Sequence, residues 1–355
     1  MEKILNLSLY PTSRCDTGCS HCMDDCNMSN PQDFKVAMAR QIIDETGLKG
    51  VDLAVLFTGY GEPLLAPDFI EIVEAFGSYK GTKDMGIITS GFSDKDSFRK
   101  SQFRNLLNGS CVEKLNISQS FSLFHPSFPE RLKNIIEAMI NDGQKKELTV
   151  RICLAVDNYR ETWETATRSI SDISAKMGLE HRVSFLGWSE DDRKKYFFWV
   201  QKFIEENRHS YDLAVELESY LIPQWHYIVK KGADDWVLAI IIQPIVLEKV
   251  GRAKKLYNIP VIDFSCGALG GYFGDDDFSA LTIFPDGTVC SECCHEILYG
   301  KIGENSLFEM DRRRMVFAKK LFGSILADRR MFKWLTRDIC RVCQNLVAEK
   351  SLELG

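Results

Sequence analysis

Hydrophobic and polar positions alternate in a repeating order through the first half of the chain. Ile4 to Tyr10 alternates and is rich in leucine, which predicts a strand. Leu53 to Phe57, Met85 to Thr89, Val112 to Ser118 and Leu148 to Leu154 predict four more, and Arg182 to Leu186 closes the series. Between them, apolar residues at helical spacing predict helices over 66–78, 97–107, 129–140 and 162–177, with Pro67 at the start of the first. A further helix is predicted over 192–207. Six strand–helix units in succession require a parallel sheet with crossover helices. Six is too few for a closed eight-fold barrel, so an open partial barrel and a doubly wound sheet both fit.

Past Arg208 the pattern changes. Residues 213–227 fit neither template. Trp236 to Val246 is a long apolar run of β type that contains Pro244, which predicts an edge or bent strand. Leu281 to Phe284 and Thr288-Val289 flank Asp286-Gly287, the signature of a β-hairpin. A basic helix is predicted over 306–320 and a short one over 340–350. The change divides the chain near 235. Residues 1–235 form a larger α/β unit, and 236–355 a smaller, cysteine-rich α+β unit.

Composition narrows the chemistry. The chain has 355 residues, a net charge of −6 and a pI near 5.7, so no strong field draws it to nucleic acid or anionic lipid. No apolar run is long enough to span a bilayer, and Met1-Glu2-Lys3 lacks the charged and apolar regions of a signal peptide. The reading is a cytoplasmic protein with no membrane partner. Twelve cysteines in a reducing compartment argue for metal or redox chemistry rather than disulfides. Four lie between 15 and 26, three between 290 and 294, and a pair at 340 and 343. Cys111 and Cys153 read as buried core thiols.

The first cluster, Cys15-Asp-Thr-Gly-Cys19-Ser-His-Cys22, leaves the first strand at its carboxyl end, where α/β folds place their chemistry. Three thiolates leave a metal site one ligand short. Either an iron stays open to a small molecule, or Cys26 or His21 completes a structural zinc site. The second constellation, Thr58-Gly59-Tyr60-Gly61-Glu62-Pro63, follows the second strand at the same end of the sheet. Gly59 and Gly61 permit close backbone approach, and Glu62 is an acceptor suited to an ammonium group.

Together these motifs resemble the radical S-adenosylmethionine (radical SAM) superfamily, and the resemblance runs from Leu5 to about Leu186. It implies a partial (β/α)6 TIM-like barrel. It further implies that Cys15, Cys19 and Cys22 hold a [4Fe–4S] cluster whose open iron binds the methionine moiety of S-adenosylmethionine. Glu62 would accept from the methionine ammonium, and His21 would lie near the adenine. Ile88-Thr-Ser-Gly91 resembles the family's Thr-Asn-Gly segment, which brings in Ser90. Asn116-Ile-Ser-Gln-Ser120 is similar to its Ser-Leu-Asp segment, so that Ser118 matches a ribose- or carboxylate-binding serine. Arg131 resembles an arginine that holds the carboxylate in peptide-modifying members. Cys26 is then a spectator.

A third constellation lies in the last third. Cys266 precedes a glycine-rich stretch, the hairpin leads into Cys290-Ser-Glu-Cys293-Cys294-His295, and Cys340-Arg-Val-Cys343 follows. By spacing alone, zinc fits nearly as well as iron–sulfur. The Gly251-Arg252-Ala253 connector and the stretch Gly300 to Leu307 are similar to the SPASM and twitch extensions of radical SAM enzymes. That likeness implies one auxiliary [4Fe–4S] cluster on Cys266, Cys293, Cys340 and Cys343, with Cys290 and Cys294 as rivals of Cys293.

The implied activity starts from a 5′-deoxyadenosyl radical that abstracts hydrogen. It ends in oxidative modification of a peptide or protein, with the auxiliary cluster as electron acceptor or substrate ligand. A flavodoxin or ferredoxin would supply low-potential electrons. Dehydrogenation of a small alcohol or aminosugar is the alternative within the family. The absence of a leader-binding segment before Ile4 favours that alternative slightly. A non-enzymatic zinc protein is the alternative outside the family. A nucleic-acid base methylase fits poorly, because the chain is acidic and has no basic stripe with interleaved aromatics. The acidic run Asp275 to Asp277, the arginines 312–314 and the aromatics 196–199 read as solvated turn, solvated helix face and core.

Overall fold

The computed structural model describes residues 4–19, 28–110, 115–121, 127–142, 146–154, 159–185, 224–233, 235–246, 280–291 and 294–327. Strands and helices alternate as β1 (Ile4–Leu9), α1 (Val36–Lys49), β2 (Asp52–Phe57), α2 (Phe69–Ser78), β3 (Thr82–Thr89), α3 (Ser97–Leu107), β4 (Leu115–Phe121), α4 (Phe128–Asn141), β5 (Lys146–Leu154) and α5 (Tyr159–Lys176). Then come β6 (Glu180–Phe185), β7 (Gln224–Val229), β8 (Trp236–Val246), β9 (Ala280–Ile283), β10 (Thr288–Ser291), β11 (Cys294–Lys301) and α6 (Leu307–Ala327). The expected helices over 192–207 and 340–350 lie outside the described residues, as does the 251–253 connector.

All described strands join one sheet, in the order β11-β10-β9-β1-β2-β3-β4-β5-β8-β7-β6. Strands β1 to β5 are parallel neighbours, and β8 continues the parallel run beside β5. This is an α/β fold in which the six parallel strands β1 to β5 and β8, extended by β9 on the far side of β1, resemble a partial TIM barrel. The sixth parallel strand differs from the sequence expectation. Residues 180–185 form an outer strand, antiparallel to β7, and residues 236–246 take the sixth place. The expected edge strand at 236–246 is therefore interior. Pro244 is tolerated because the β7 pairing ends at Ile242, so no β7 hydrogen bond is asked of its missing N–H. The sheet also runs across the expected division at 235. Through β9, paired in parallel to β1, the hairpin of the last third joins the same sheet.

The core forms by strict alternation. Leu5, Leu7 and Leu9 on β1, Leu53, Val55 and Phe57 on β2, Met85 and Ile87 on β3, and Leu148 and Val150 on β5 are buried in one cluster with the apolar faces of the helices. Phe57 meets Phe69 and Phe76 of α2 edge to face, at ring-centre distances of 5.5 and 6.0 Å. On the other face Asn116, Ser118 and Ser120 of β4 and Arg151 of β5 are half-buried or exposed. The pattern does not anticipate α1, which buries Ala39, Ile42 and Thr46 and packs Val36, Met38 and Ile43 partly against the core. Thr46 stays in the helix by donating its hydroxyl to the Ile42 carbonyl at 2.8 Å. No described helix is long and apolar enough to cross a membrane.

One buried polar pair sits among these apolar contacts. His226 on β7 is 1% exposed, and its Nδ1 lies 2.9 Å from Nε2 of His181 on β6. Burial, then the charge of His181, pulls His226 down to about 3 from its usual 6.5. Between those values the unfolded chain binds a proton that the folded chain does not. Stability therefore rises with pH across that window and falls on acidification. Thermal melting is expected to show a loss on the order of 1–2 kcal/mol between pH 6.5 and 5 from this group. His226→Gln should flatten that slope, and an unchanged slope would refute the assignment.

Candidate functional site

The site forms where β1, β2 and β3 end, on loops held by polar contacts. After β1 the chain enters the cysteine loop, and its two flanks are clasped together. Thr12 pairs with Asp33 in a backbone bridge, and the Thr12 hydroxyl donates to Asp33 Oδ1 at 2.6 Å. Arg14 grips the same carboxylate with Nε and Nη2, at 2.9 and 2.7 Å. Burial pushes the Asp33 carboxyl up, but the bonds from Arg14 and Thr12 outweigh it and leave it below its usual value. Ser13 N donates to Gln32 O, and Phe34 N to Pro11 O, each at 2.9 Å. The clasp brings residues 10–14 beside 32–34, so the intervening cysteines start from a fixed base. Cys15 and Cys19 are half-buried there, and Gly18 turns the loop with φ +64°. His21, Cys22 and Cys26 lie outside the described residues, as do Cys266, Cys293, Cys340 and Cys343.

The turn after β2 fits against this base. Glu62 N donates to Arg14 O at 2.8 Å. A Cβ on Gly61 would sit on the Thr12 carbonyl oxygen and 2.8 Å from that of Arg14, so only glycine permits the approach. A Cβ on Gly59 would meet the Tyr10 ring at 3.3 Å. Tyr60 takes φ +35° and stacks parallel to Tyr10, and Phe284 at the end of β9 packs edge-on against both, at 5.3 and 5.0 Å. An aromatic joint thus ties the hairpin of the last third to the glycine turn.

Glu62 is the centre of the site. It is 3% exposed. Its Oε1 accepts from Thr89 Oγ1 at 2.6 Å and Leu64 N at 3.2 Å, and its Oε2 from Ser90 N at 2.8 Å and Ser90 Oγ at 2.7 Å. Burial raises its pKa, and these four donors pull against that rise. Ser90 Oγ is also approached by Thr17 Oγ1 at 3.2 Å, Arg131 Nη1 at 3.2 Å and Arg99 Nη1 at 3.3 Å. A serine has one proton, and it goes to Glu62, so Thr17 is the donor in its pair. Arg99 and Arg131 also share the Gly91 carbonyl, at 3.0 and 3.2 Å. Gly91 takes φ +76°, and a Cβ there would strike Gln119 Nε2.

Arg99 carries the widest set of contacts. It is fully buried on the first turn of α3, paired with Asp96 at 2.9 Å and with Asp16 of the cysteine loop. Burial and then Arg131 lower it to about 10, while Cys15 acts in the opposite sense, so it stays cationic at neutral pH.

The structure therefore brings Gly59, Gly61, Glu62, Ser90 and Arg131 together with the start of the cysteine loop. Ser118 lies opposite Ile88 on the half-buried face of β4, away from the buried Gln119 that donates to Ser90 O at 3.5 Å. Sequence reasoning missed Asp16, Thr17, Thr89, Arg99 and the Arg14–Asp33 clasp. Arg99 sits in Ser97-Phe-Arg-Lys beside a lysine and carries no signal of burial, because its partners other than Asp96 lie 8 to 83 residues away. Asp96 caps α3, its side chain accepting from Arg99 N at 3.0 Å.

Residues 9–122, which hold the cysteine loop and the glutamate turn, match the Radical SAM superfamily. The superfamily is one of enzymes that use a [4Fe–4S] cluster and S-adenosylmethionine. Over 153 residues the chain is 28% identical to GTP 3′,8-cyclase of Aquifex aeolicus, covering 42% of this chain and 43% of that protein. Streptococcus suis SuiB bound to S-adenosylmethionine is 14% identical, with a TM-score of 0.41 over 81% of this chain and 60% of that one. BtrN in complex with AdoMet and 2-DOIA is 13% identical, with a TM-score of 0.40 over 90% and 87%. The chain thus spans less than two thirds of the first two of these relatives.

Gly61→Ala is expected to lower the melting temperature by several degrees and release the bond from Glu62 N to the Arg14 carbonyl, because neither carbonyl can retreat without opening the clasp. Differential scanning fluorimetry with Gly59→Ala as the milder control checks this, and equal melting of the two variants would refute it.

Proposed function

We propose that the chain is a radical SAM enzyme that abstracts hydrogen from a peptide or protein side chain and modifies it oxidatively. The observation that carries the reading is the buried Glu62 carboxylate, held between Thr89, Ser90 and the glycine turn directly beside the cysteine loop. The donor set fits the cofactors: soft thiolates for iron, a carboxylate for an ammonium group, and paired guanidiniums for a carboxylate. Cys15, Cys19 and Cys22 would hold the cluster. Glu62, held by Ser90, would take the methionine ammonium, Arg131 the methionine carboxylate, Ser118 the ribose, and His21 the adenine edge. Gly59 and Gly61 let the backbone approach closely. When bound, the cluster and S-adenosylmethionine supply one-electron cleavage of the sulfonium bond and the hydrogen abstraction that follows.

The chain's own part is positioning. Four donors preorganise the Glu62 carboxylate, so an ammonium entering the site meets fixed charge rather than mobile water. An auxiliary [4Fe–4S] cluster on Cys266, Cys293, Cys340 and Cys343 is proposed as electron acceptor or substrate ligand. Cys290 is fully buried within β10, which favours Cys293 over it. Ser118, Ser120 and Arg151 give β4 and β5 a half-buried polar face. Residues 1–235 are proposed as the core with residues 236–355 as the auxiliary-cluster extension, although their strands share one sheet. A low-potential flavodoxin or ferredoxin is the proposed electron donor.

Anaerobic reconstitution with S-adenosylmethionine and dithionite is expected to release 5′-deoxyadenosine. Cys22→Ala should abolish release, and Cys26→Ala should retain it within about twofold, the scatter of a side chain outside the ligand set. Colourless protein with stoichiometric zinc, or no 5′-deoxyadenosine where a control maturase yields it, would sink the reading.

A further inference from the structure

We infer that Arg99 and Asp16 are an opposed pair of positioning residues that fix the cysteine loop to the end of β3 and set the reduction potential of the cluster that loop holds. The inference rests on the radical SAM reading, and extends it to two residues outside the motifs that define that reading.

Arg99 reaches three separate elements. It pairs with Asp96 at its own helix start, donates to Ser90 and Gly91 at the end of β3, and pairs with Asp16, the residue after Cys15. Thr17, the next residue, bonds Ser90 Oγ from the other side. Two consecutive loop residues are thus tied to the atoms that hold Glu62. Stability alone does not account for the pair. Asp16 is 48% exposed, and half-exposed ion pairs contribute little to folding. Arg99 is wholly buried, and a buried guanidinium is costly unless its partners are in place.

The position explains the arrangement. A fixed cation beside a thiolate ligand favours the more negative, reduced cluster and raises its potential; a fixed anion does the reverse. Asp16 and Arg99 carry opposite charges next to Cys15, so they bias the cluster in opposite directions while sharing one mechanical role. Loosening of the loop alone would move both variants the same way.

The test is an anaerobic redox titration of the reconstituted holoenzyme, read by the electron paramagnetic resonance signal that changes on adding S-adenosylmethionine. Arg99→Gln is expected to lower the midpoint and Asp16→Asn to raise it. Each shift should amount to roughly a threefold to tenfold change in the reduced-to-oxidised ratio at fixed potential, tenfold being about 59 mV for one electron. Arg99→Lys, which keeps the charge, should return the midpoint toward wild type. Shifts of the same sign, or none, overturn the inference. Should Arg99→Gln not fold, the half-exposed Asp16→Asn decides alone: a raised midpoint supports the pair and an unchanged one refutes it. A wild-type protein without a signal sensitive to S-adenosylmethionine overturns the radical SAM reading itself.

Discussion

The site depends on keeping one carboxylate, Glu62, out of water. An isolated buried carboxylate costs many kcal/mol, so the fold must bring donors to it. It does so from three directions. The turn after β2 supplies Leu64 N, the end of β3 supplies Thr89 and Ser90, and two arginines from α3 and α4 brace Ser90 from behind. Ser90 Oγ is the hub through which the helices, the sheet and the cysteine loop reach the same atom. A site assembled this way is stiff before any cofactor arrives, which is what electrostatic preorganisation requires.

The same constraint explains the loops. The cysteine motif lies in the connection between β1 and α1, and long connections are costly to order. The clasp of Thr12 and Arg14 on Asp33 closes the base of that connection with charge-assisted bonds. The aromatic joint of Tyr10, Tyr60 and Phe284 plays a related part on the other side. It ties the hairpin of the last third to the glycine turn, and so couples the cysteine-rich part of the chain to the end of β2.

Much of the fold was legible in the sequence because it rests on local periodicity. β1, β2, α3, α4 and β5 fall where alternation and helical spacing put them, as does the hairpin around Asp286-Gly287. The misses have physical causes. α1 mixes Thr46 and small Ala39 into its buried face, so its apolar stripe is weak, and β11 carries cysteines and a glycine that read as a ligand loop. β6 has the right alternation but pairs at the edge, and β8 was demoted by Pro244 although the proline lies past its last contact with β7. Periodicity reports which residues share a face; it does not report which strand lies next.

Within the site, residue types and spacing determined the chemistry that Cys15, Cys19, Gly61 and Glu62 offer, because each acts through its own side chain or through the lack of one. The tertiary structure decided the rest. Ser90 and Arg131 could be named from short segments, but only folding puts both on one oxygen. Arg99, Thr17 and Asp16 had no sequence signal, since a buried arginine looks like a surface one until its partners are found. What the sequence determined is a set of ligands and acceptors. What the structure decided is the charge around them, because charge depends on distances between residues far apart in the chain.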